Sequence, residues 1–167
     1  MLENILHKRI GLGKGGRPFT YYKIRTMVLD AEERVRELAE QNGQDGLGKV
    51  IDDPRITKYG RFLRRYGIDE LPQLYNVLKG DMGLVGLRPR TESDWEMLPK
   101  EHKVLALKFR PGFVPPAYTK KHIGSMEELV EVERAYLEEK EHSPLKTDMK
   151  VFALAFYQMF LNGVRTR

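Results

Sequence analysis

The longest apolar run in the chain is Val151-Phe-Ala-Leu-Ala-Phe-Tyr-Gln-Met-Phe-Leu161, well short of the roughly 18–20 residues that a membrane-spanning helix requires. No segment is therefore expected to cross a bilayer, and the chain must fold by packing short elements against one another. Its 167 residues fit one domain, residues 1–167, with a core of ordinary size. With 41% hydrophobic and 32% charged residues, it is too apolar to stay disordered and too charged to consist mainly of membrane spans. Zero cysteines exclude disulfides, thiolate zinc sites and a cysteine nucleophile. The N-terminal residues Met1-Leu-Glu-Asn-Ile-Leu-His-Lys-Arg9 lack the succession of a secretory signal.

Glycine and proline divide the chain. Gly11, Gly13, Gly15 and Gly16 form a turn before Phe19-Thr-Tyr-Tyr-Lys-Ile-Arg25, whose aromatic and β-branched residues predict a hairpin or an edge strand. Ala31, Val35, Leu38 and Ala39 recur at helical spacing from Asp30 to Gln41, with a stop at Asn42-Gly43 and a loop to Gly48. Thr57 is placed to cap a helix whose Tyr59, Phe62 and Leu63 face inward, and a second helix carries Leu71, Leu74, Tyr75 and Leu78 to Gly80. Met82-Gly-Leu-Val-Gly86 reads as a buried strand. Thr91-Glu-Ser-Asp94 opens a helix to about Lys108, and Pro111-Gly112 with Pro115-Pro116 forms a rigid connector. Ser125-Met-Glu-Glu128 is a capping box, and Ser143-Pro144 starts a last helix, apolar on nearly every side from Met149 to Leu161, which is either centrally buried or laid against lipid. The expected fold is α/β of the α+β kind: compact, mostly helical, with short strands or a hairpin and amphipathic helices at a membrane surface.

The formal charge of +5 points to an anionic partner, and its distribution says more. Residues 1–30 carry six Lys/Arg against two acids, and Pro54 to Arg65 holds Arg55, Lys58, Arg61, Arg64 and Arg65 with no acid. Glu127 to Glu141 holds seven acids against Arg134 and Lys140, the pattern of a solvated helix face.

Directly after the basic run stands the pair Asp69-Glu70, followed by Pro72. A carboxylate beside guanidinium groups has a lowered pKa and stays ionised, as a nucleophile or metal ligand must. The second acid could hold Mg²⁺, a hard cation that bridges phosphate oxygens. The plainer alternative is that Asp69 caps a helix and Glu70 complements its dipole. Arg64, Arg65, Arg88 and Arg90 supply forked donors that match phosphate, with Pro89 limiting the swing of its neighbours. Lys23 and Arg25 alternate on a strand and so share one polar face. His7, His102, His122 and His142 show no metal-ligand spacing and read as surface or turn residues, while Ser93, Ser125 and Ser143 fall where helix caps are expected.

Three stretches, Phe19-Thr-Tyr-Tyr-Lys-Ile-Arg-Thr-Met27, Asp53-Pro-Arg-Ile-Thr-Lys-Tyr-Gly-Arg-Phe-Leu-Arg64 and Ile68-Asp-Glu-Leu-Pro-Gln-Leu-Tyr-Asn-Val-Leu-Lys-Gly-Asp-Met-Gly-Leu-Val-Gly86, together resemble the bacterial sugar transferase family, the monotopic phosphoglycosyl transferases. Over roughly residues 5–112 the likeness is specific, and Asp148-Met-Lys-Val151 extends it weakly. The resemblance implies transfer of a sugar phosphate from a UDP-sugar to polyprenyl phosphate at the cytoplasmic face of the bacterial inner membrane, opening a glycoconjugate or exopolysaccharide pathway. It implies Asp69 as the nucleophile that carries a phosphosugar ester and expels UMP, Glu70 as Mg²⁺ ligand, and Lys23, Arg64 and Arg88 as contacts to phosphate or nucleotide. The family's re-entrant membrane helix would lie before Met1, so a catalytic fragment or truncated product is expected, associated with the membrane surface and open to homo-oligomerisation. Sugar specificity is expected from Phe113 to Ser125.

Two readings compete with the enzyme. One is a nucleic-acid-binding module that uses Arg55 to Arg65 as a basic strip, disfavoured because Tyr59 and Phe62 fall on the inward spacing rather than among the basic side chains. The other is an inactive membrane-bound scaffold, against which the intact Asp69-Glu70 pair argues.

Overall fold

A computed structural model of the protein describes residues 5–161, the side chains of residues 35, 36, 160 and 161 excepted. Residues 1–4 and 162–167 of the expected domain, and the side chains of Val35, Phe160 and Leu161, lie outside the described residues.

The expected hairpin forms from β1 (Leu6–Leu12) and β2 (Pro18–Ile24), antiparallel with Leu6 opposite Ile24 and Leu12 opposite Pro18. A 3₁₀ turn at Lys14–Gly16 joins them, with Gly15 and Gly16 at φ of 68° and 76°, a region that glycine enters at no steric cost. Helix α1 (Val35–Asn42) ends as expected on Gly43, but residues 30–34 are turns, so it begins later than its periodicity suggests.

Helix α2 (Lys58–Tyr66) is capped by Thr57, whose Oγ1 accepts from the Gly60 N–H at 2.9 Å, and α3 (Gln73–Lys79) stops at left-handed Gly80. Both helices are turned inside out relative to expectation. Tyr59 is 84% exposed and Leu78 88%, and Phe62, Tyr66, Leu71, Leu74 and Tyr75 are exposed with them. The inward face is made of small and polar residues. A Cβ on Gly60 would lie 2.0 Å from the Thr26 carbonyl oxygen, so only glycine allows α2 to approach that closely, and Arg64 Nε donates to Thr26 Oγ1 at 2.9 Å beside it. On α3 the inward residues are Gln73 and Asn76. Asn76 Nδ2 donates to the Thr20 carbonyl at 2.7 Å, and its backbone carbonyl accepts the N–H groups of Asp81 and Met82.

β3 (Gly83–Val85) forms where expected. Thr91, not Ser93, caps α4 (Glu92–Glu96) in a reciprocal box with Asp94. The single helix expected from Thr91 to about Lys108 is instead two, α4 and α5 (Lys100–Ala106), because Pro99 lacks the N–H that would continue the ladder and disfavours helical geometry at Leu98. The stretch read as a connector contains strand β4 (Gly112–Val114), parallel to β3. A 3₁₀ turn at Pro116–Thr119 follows.

Helix α6 (Met126–His142) is capped by Ser125, which accepts from the Glu128 N–H, while the Glu128 carboxylate takes the N–H of Gly124 rather than that of Ser125. Helix α7 (Pro144–Leu161) is neither fully buried nor fully exposed: Thr147, Val151 and Ala155 face inward, Phe152, Leu154 and Phe156 outward. The core joins Val85, Leu87, Trp95, Leu98, Ala106, Tyr136, Leu137 and Val151. Lys140 is buried beside it, donating to the Val85 carbonyl, the Tyr136 hydroxyl and Asp148. Lys140, read with the acidic run as part of a solvated face, departs from expectation, and so do two further polar residues. Glu133, read as part of a solvated acidic face, is 1% exposed, and His102, read as a surface residue, is buried against it.

Candidate active site

The turn after α2 builds the site. Gly67 takes φ 65°, closing α2 and reversing the chain into a 3₁₀ turn at Ile68–Glu70 that presents both acids toward β2. Neither acid serves as a cap: α3 is preceded by Pro72 and has no side-chain cap, so the capping alternative is set aside. Glu70 Oε1 accepts from Lys23 Nζ at 3.1 Å and from Arg88 Nη2, and the Tyr118 hydroxyl lies 3.4 Å from Oε2. Asp69 is buried beside it, and among the described residues none donates a hydrogen bond to its carboxylate.

The two carboxyls are therefore electrostatically unequal. Burial opposes ionisation of Glu70, but the Arg88 guanidinium and Lys23 ammonium outweigh it and hold the group at about 2. Asp69 moves the other way, raised by burial first and by the Glu70 charge next, with Lys23, Arg64 and Arg88 pulling against both. The lowering expected of the whole pair thus holds for Glu70 and not for Asp69. Lys23 is pushed down to about 8 by desolvation and by the Arg88 charge, while Glu70 first among its neighbours raises Arg88.

Of the residues singled out from the sequence, Lys23, Arg64, Asp69, Glu70 and Arg88 come together. Arg25 lies past the end of β2 and acts on His7, whose imidazole is lowered by burial and then by that guanidinium. Arg90 turns away and donates through Nη2 to Glu133 at 2.7 Å. Two residues were missed. Tyr118 sits on the 3₁₀ turn Pro116–Thr119, inside the segment expected to set specificity. Lys49 comes from the loop after α1; partial burial and the Arg88 charge push its ammonium below the ordinary value, and Arg64 and Glu70 act on it too. The loop reaches the site because Gly46 rests on the Gly124 carbonyl, so closely that a Cβ would stand 1.9 Å from that oxygen. Gly46 was the available signal, although a glycine between Asp45 and Leu47 reads equally as a flexible turn.

What this arrangement can do follows from charge. The charges of Lys23, Arg64 and Arg88 act on the Asp69 carboxylate, which takes no hydrogen bond among the described residues, a setting that can attract a polyanionic substrate beside an uncovered carboxylate oxygen. Residues 2–162 match the family model described as bacterial sugar transferase. The chain belongs to the bacterial sugar transferase family. It is 40% identical over 153 residues to a galactosyl transferase, CpsE, of Streptococcus agalactiae serotype III, covering 90% of this chain and 33% of that protein. It is 32% identical over 166 residues to the UDP-glucose:undecaprenyl-phosphate glucose-1-phosphate transferase of Escherichia coli K12, covering 95% and 33%. With the undecaprenyl-phosphate galactose phosphotransferase of Salmonella typhimurium it shares 45% identity over 96 residues, 54% of this chain and 20% of that protein. This bacterial sugar transferase chain thus spans about a third of the first two relatives, and among its described residues no helix is long and apolar enough to cross a membrane.

Proposed function

We propose that this sugar transferase moves a sugar 1-phosphate from a UDP-sugar to undecaprenyl phosphate through a covalent ester on Asp69. The observation that carries the reading is the buried Asp69 carboxylate, free of hydrogen-bond donors among the described residues and within the electrostatic reach of Lys23, Arg64 and Arg88. An oxygen of Asp69 attacks the sugar-bearing phosphorus, the bond from that phosphorus to the bridging oxygen breaks, and UMP leaves with the electron pair. A phosphate oxygen of the polyprenyl acceptor then attacks the same phosphorus and displaces the Asp69 carboxylate, restoring the enzyme. Arg64, Arg88 and Lys23 bind the diphosphate and neutralise charge that builds on its oxygens in both displacements. With no hydrogen bond to Asp69 among the described residues its lone pairs are available, and its raised pKa makes it the more basic of the two acids.

The donor set fits Mg²⁺ held in a partial way. No cluster of three or more acidic or histidine ligands occurs among the described residues, but Mg²⁺ commonly takes only one or two carboxylates and fills its sphere with water and substrate phosphate. Glu70 Oε2 would be the oxygen to hold it, since Oε1 accepts from both Lys23 and Arg88 whereas Oε2 has the longer, 3.4 Å contact from the Tyr118 hydroxyl. When bound there, the ion would add positive charge beside the leaving phosphate.

The outward apolar face of α2 and α3 supports work at a membrane surface, proposed here as the cytoplasmic face of the inner membrane: Tyr59, Phe62, Leu74 and Leu78 are exposed on the two helices that flank the turn carrying Asp69, and Leu71 is exposed directly after that turn. A basic interfacial face binds lipid by apolar area plus attraction to acidic headgroups. The exposed rings overturn the orientation argument against nucleic acid, and family membership carries the choice instead.

The test is a rapid-quench assay with UDP-sugar donors and Mg²⁺ but no acceptor. A UMP burst stoichiometric with enzyme, together with a phosphosugar adduct on Asp69 by intact mass, is the expected result. UMP formed only when undecaprenyl phosphate is also present, without any adduct, would overturn the covalent route.

A further inference from the structure

The segment Arg88-Pro89-Arg90 points in two directions. Arg88 reaches Glu70 in the site, while two residues on the Arg90 guanidinium enters the protein and donates from Nη2 to Glu133 Oε1 at 2.7 Å. Glu133 comes from the middle of α6, and its second oxygen, Oε2, lies 3.0 Å from His102 Nε2 of α5. All three side chains are buried or nearly so, at 11%, 1% and 2% exposure.

Such a trio is costly. Taking charges out of water costs several kcal/mol per ion, and well-packed apolar residues of similar volume often do as well or better for stability. The satisfaction is also incomplete, since Arg90 Nη1 and His102 Nδ1 are buried without a partner. Core stability alone does not account for the arrangement, whereas direction does. The Glu133 carboxylate is held below its ordinary range: burial raises it, but the His102 hydrogen bond and the Arg90 charge prevail. It accepts only, so the facing His102 Nε2 carries a proton and the ring fixes the carboxylate's orientation.

We propose that Glu133, oriented by His102, is a positioning residue that pins Arg90 and thereby sets the Arg88 guanidinium on Glu70. Pro89 makes the linkage stiff, because its fixed φ removes one of the few torsions through which Arg88 could move independently of Arg90. The backbone on either side is anchored as well. The Leu12 N–H donates to the Arg90 carbonyl at 3.2 Å, and the Gly112 N–H to the Leu87 carbonyl at 2.7 Å. With those backbone contacts intact, the side-chain pair with Glu133 is what selects the inward rotamer of Arg90. The inference deepens the proposed reaction and rests on it only for its kinetic arm.

The experiment follows the Arg88 guanidinium by nitrogen-15 NMR of the full chain in detergent micelles, in wild type and in Glu133→Gln. In wild type, contact with Glu70 should hinder rotation of the guanidinium and resolve its Nη resonances, a signature lost in the Glu70→Gln control. Glu133→Gln should average them as the control does. If Glu133→Gln fails to fold, Arg90→Met with Glu133→Leu and His102→Leu replaces the charged trio by apolar side chains and is read in the same way. Arg88 resonances that stay resolved in a folded variant overturn the proposal whatever the enzyme's activity. In the kinetic arm, Glu133→Gln should slow UMP release about tenfold in wild type and less than twofold in an Arg88→Ala background. Equal losses in both backgrounds would make Glu133 merely structural. A wild type that releases no UMP from any donor defeats the proposed function, and the NMR arm still decides the positioning.

Discussion

The α2–α3 pair and helix α6 obey the same helical periodicity with opposite sense. Around α6, apolar Tyr136 and Leu137 are buried and charged residues such as Arg134 and Glu138 are exposed. Around α2 and α3 the buried positions are Gly60, Gln73 and Asn76, and the exposed ones Tyr59, Phe62, Leu74 and Leu78. Periodicity reports that a helix has two unlike faces; it does not report which face meets the protein. Helix α6 treats water as the outside, although α7 beside it turns Phe152, Leu154 and Phe156 outward. The α2–α3 pair instead turns apolar side chains outward, and the turn carrying Asp69 and Glu70 joins its two helices.

The largest effect should come from the turn. Asp69→Asn removes the proposed nucleophile while keeping shape, so turnover should fall by about 10³-fold or more, by analogy with loss of covalent nucleophiles elsewhere. Glu70→Gln should instead lose the metal-dependent part of the activity and release Lys23 and Arg88 from their shared partner. Assays of UMP release across Mg²⁺ concentration separate the two. An Asp69→Asn enzyme with near-normal turnover and unchanged metal response would place the nucleophile elsewhere.

The comparison itself is tested by one substitution on α6 and one on α3. Leu137→Ala, in a fully buried position, should cost about 2–5 kcal/mol in denaturant unfolding. Leu78→Asp, at an exposed one, should change stability by less than about 0.5 kcal/mol yet sharply reduce cosedimentation with anionic vesicles at low salt. Equal destabilisation by both, with vesicle binding intact, would mean that the α3 face is covered by protein and that α3 and α6 are built alike.

Much of this was legible beforehand. The Thr57 cap, the Gly43 and Gly80 stops, the hairpin and β3 follow from local chemistry, and five of the charged residues picked for the site do converge. Long-range facts were not legible. Glu133 belongs by its neighbours to an acidic surface run, and only its distance from Arg90 and His102 in space makes it internal. The inward orientation of α2 depends on a contact between Gly60 and Thr26, residues whose pairing no periodicity announces. β4 escaped notice because three residues, Gly112-Phe-Val114, between prolines carry too little pattern to distinguish a strand from a connector. The unequal titration of Asp69 and Glu70 depends on which carboxylate the cations actually touch.

That inequality supplies the smallest predicted effect. The Lys23 ammonium, lowered to about 8 by desolvation and by Arg88, lies within the range in which an enzyme can be assayed. In the unfolded chain the same group titrates near its ordinary 10.5. Between these values the unfolded state binds more protons, so this residue's contribution to stability rises with pH from about 8 to 10.5, the reverse of a lysine that gains charge stabilisation from the fold. Activity should run the other way. Once Lys23 loses its proton, Glu70 loses one of its two cationic partners and the diphosphate one of its countercharges, so UMP release should decline by a few-fold as pH rises through about 8. Lys23→Arg keeps a charge throughout that range and should flatten the alkaline limb even if its maximal rate is lower. A limb that persists unchanged in Lys23→Arg would belong to another group, Lys49 first among them, since its ammonium is also lowered and also faces Arg88 and Glu70.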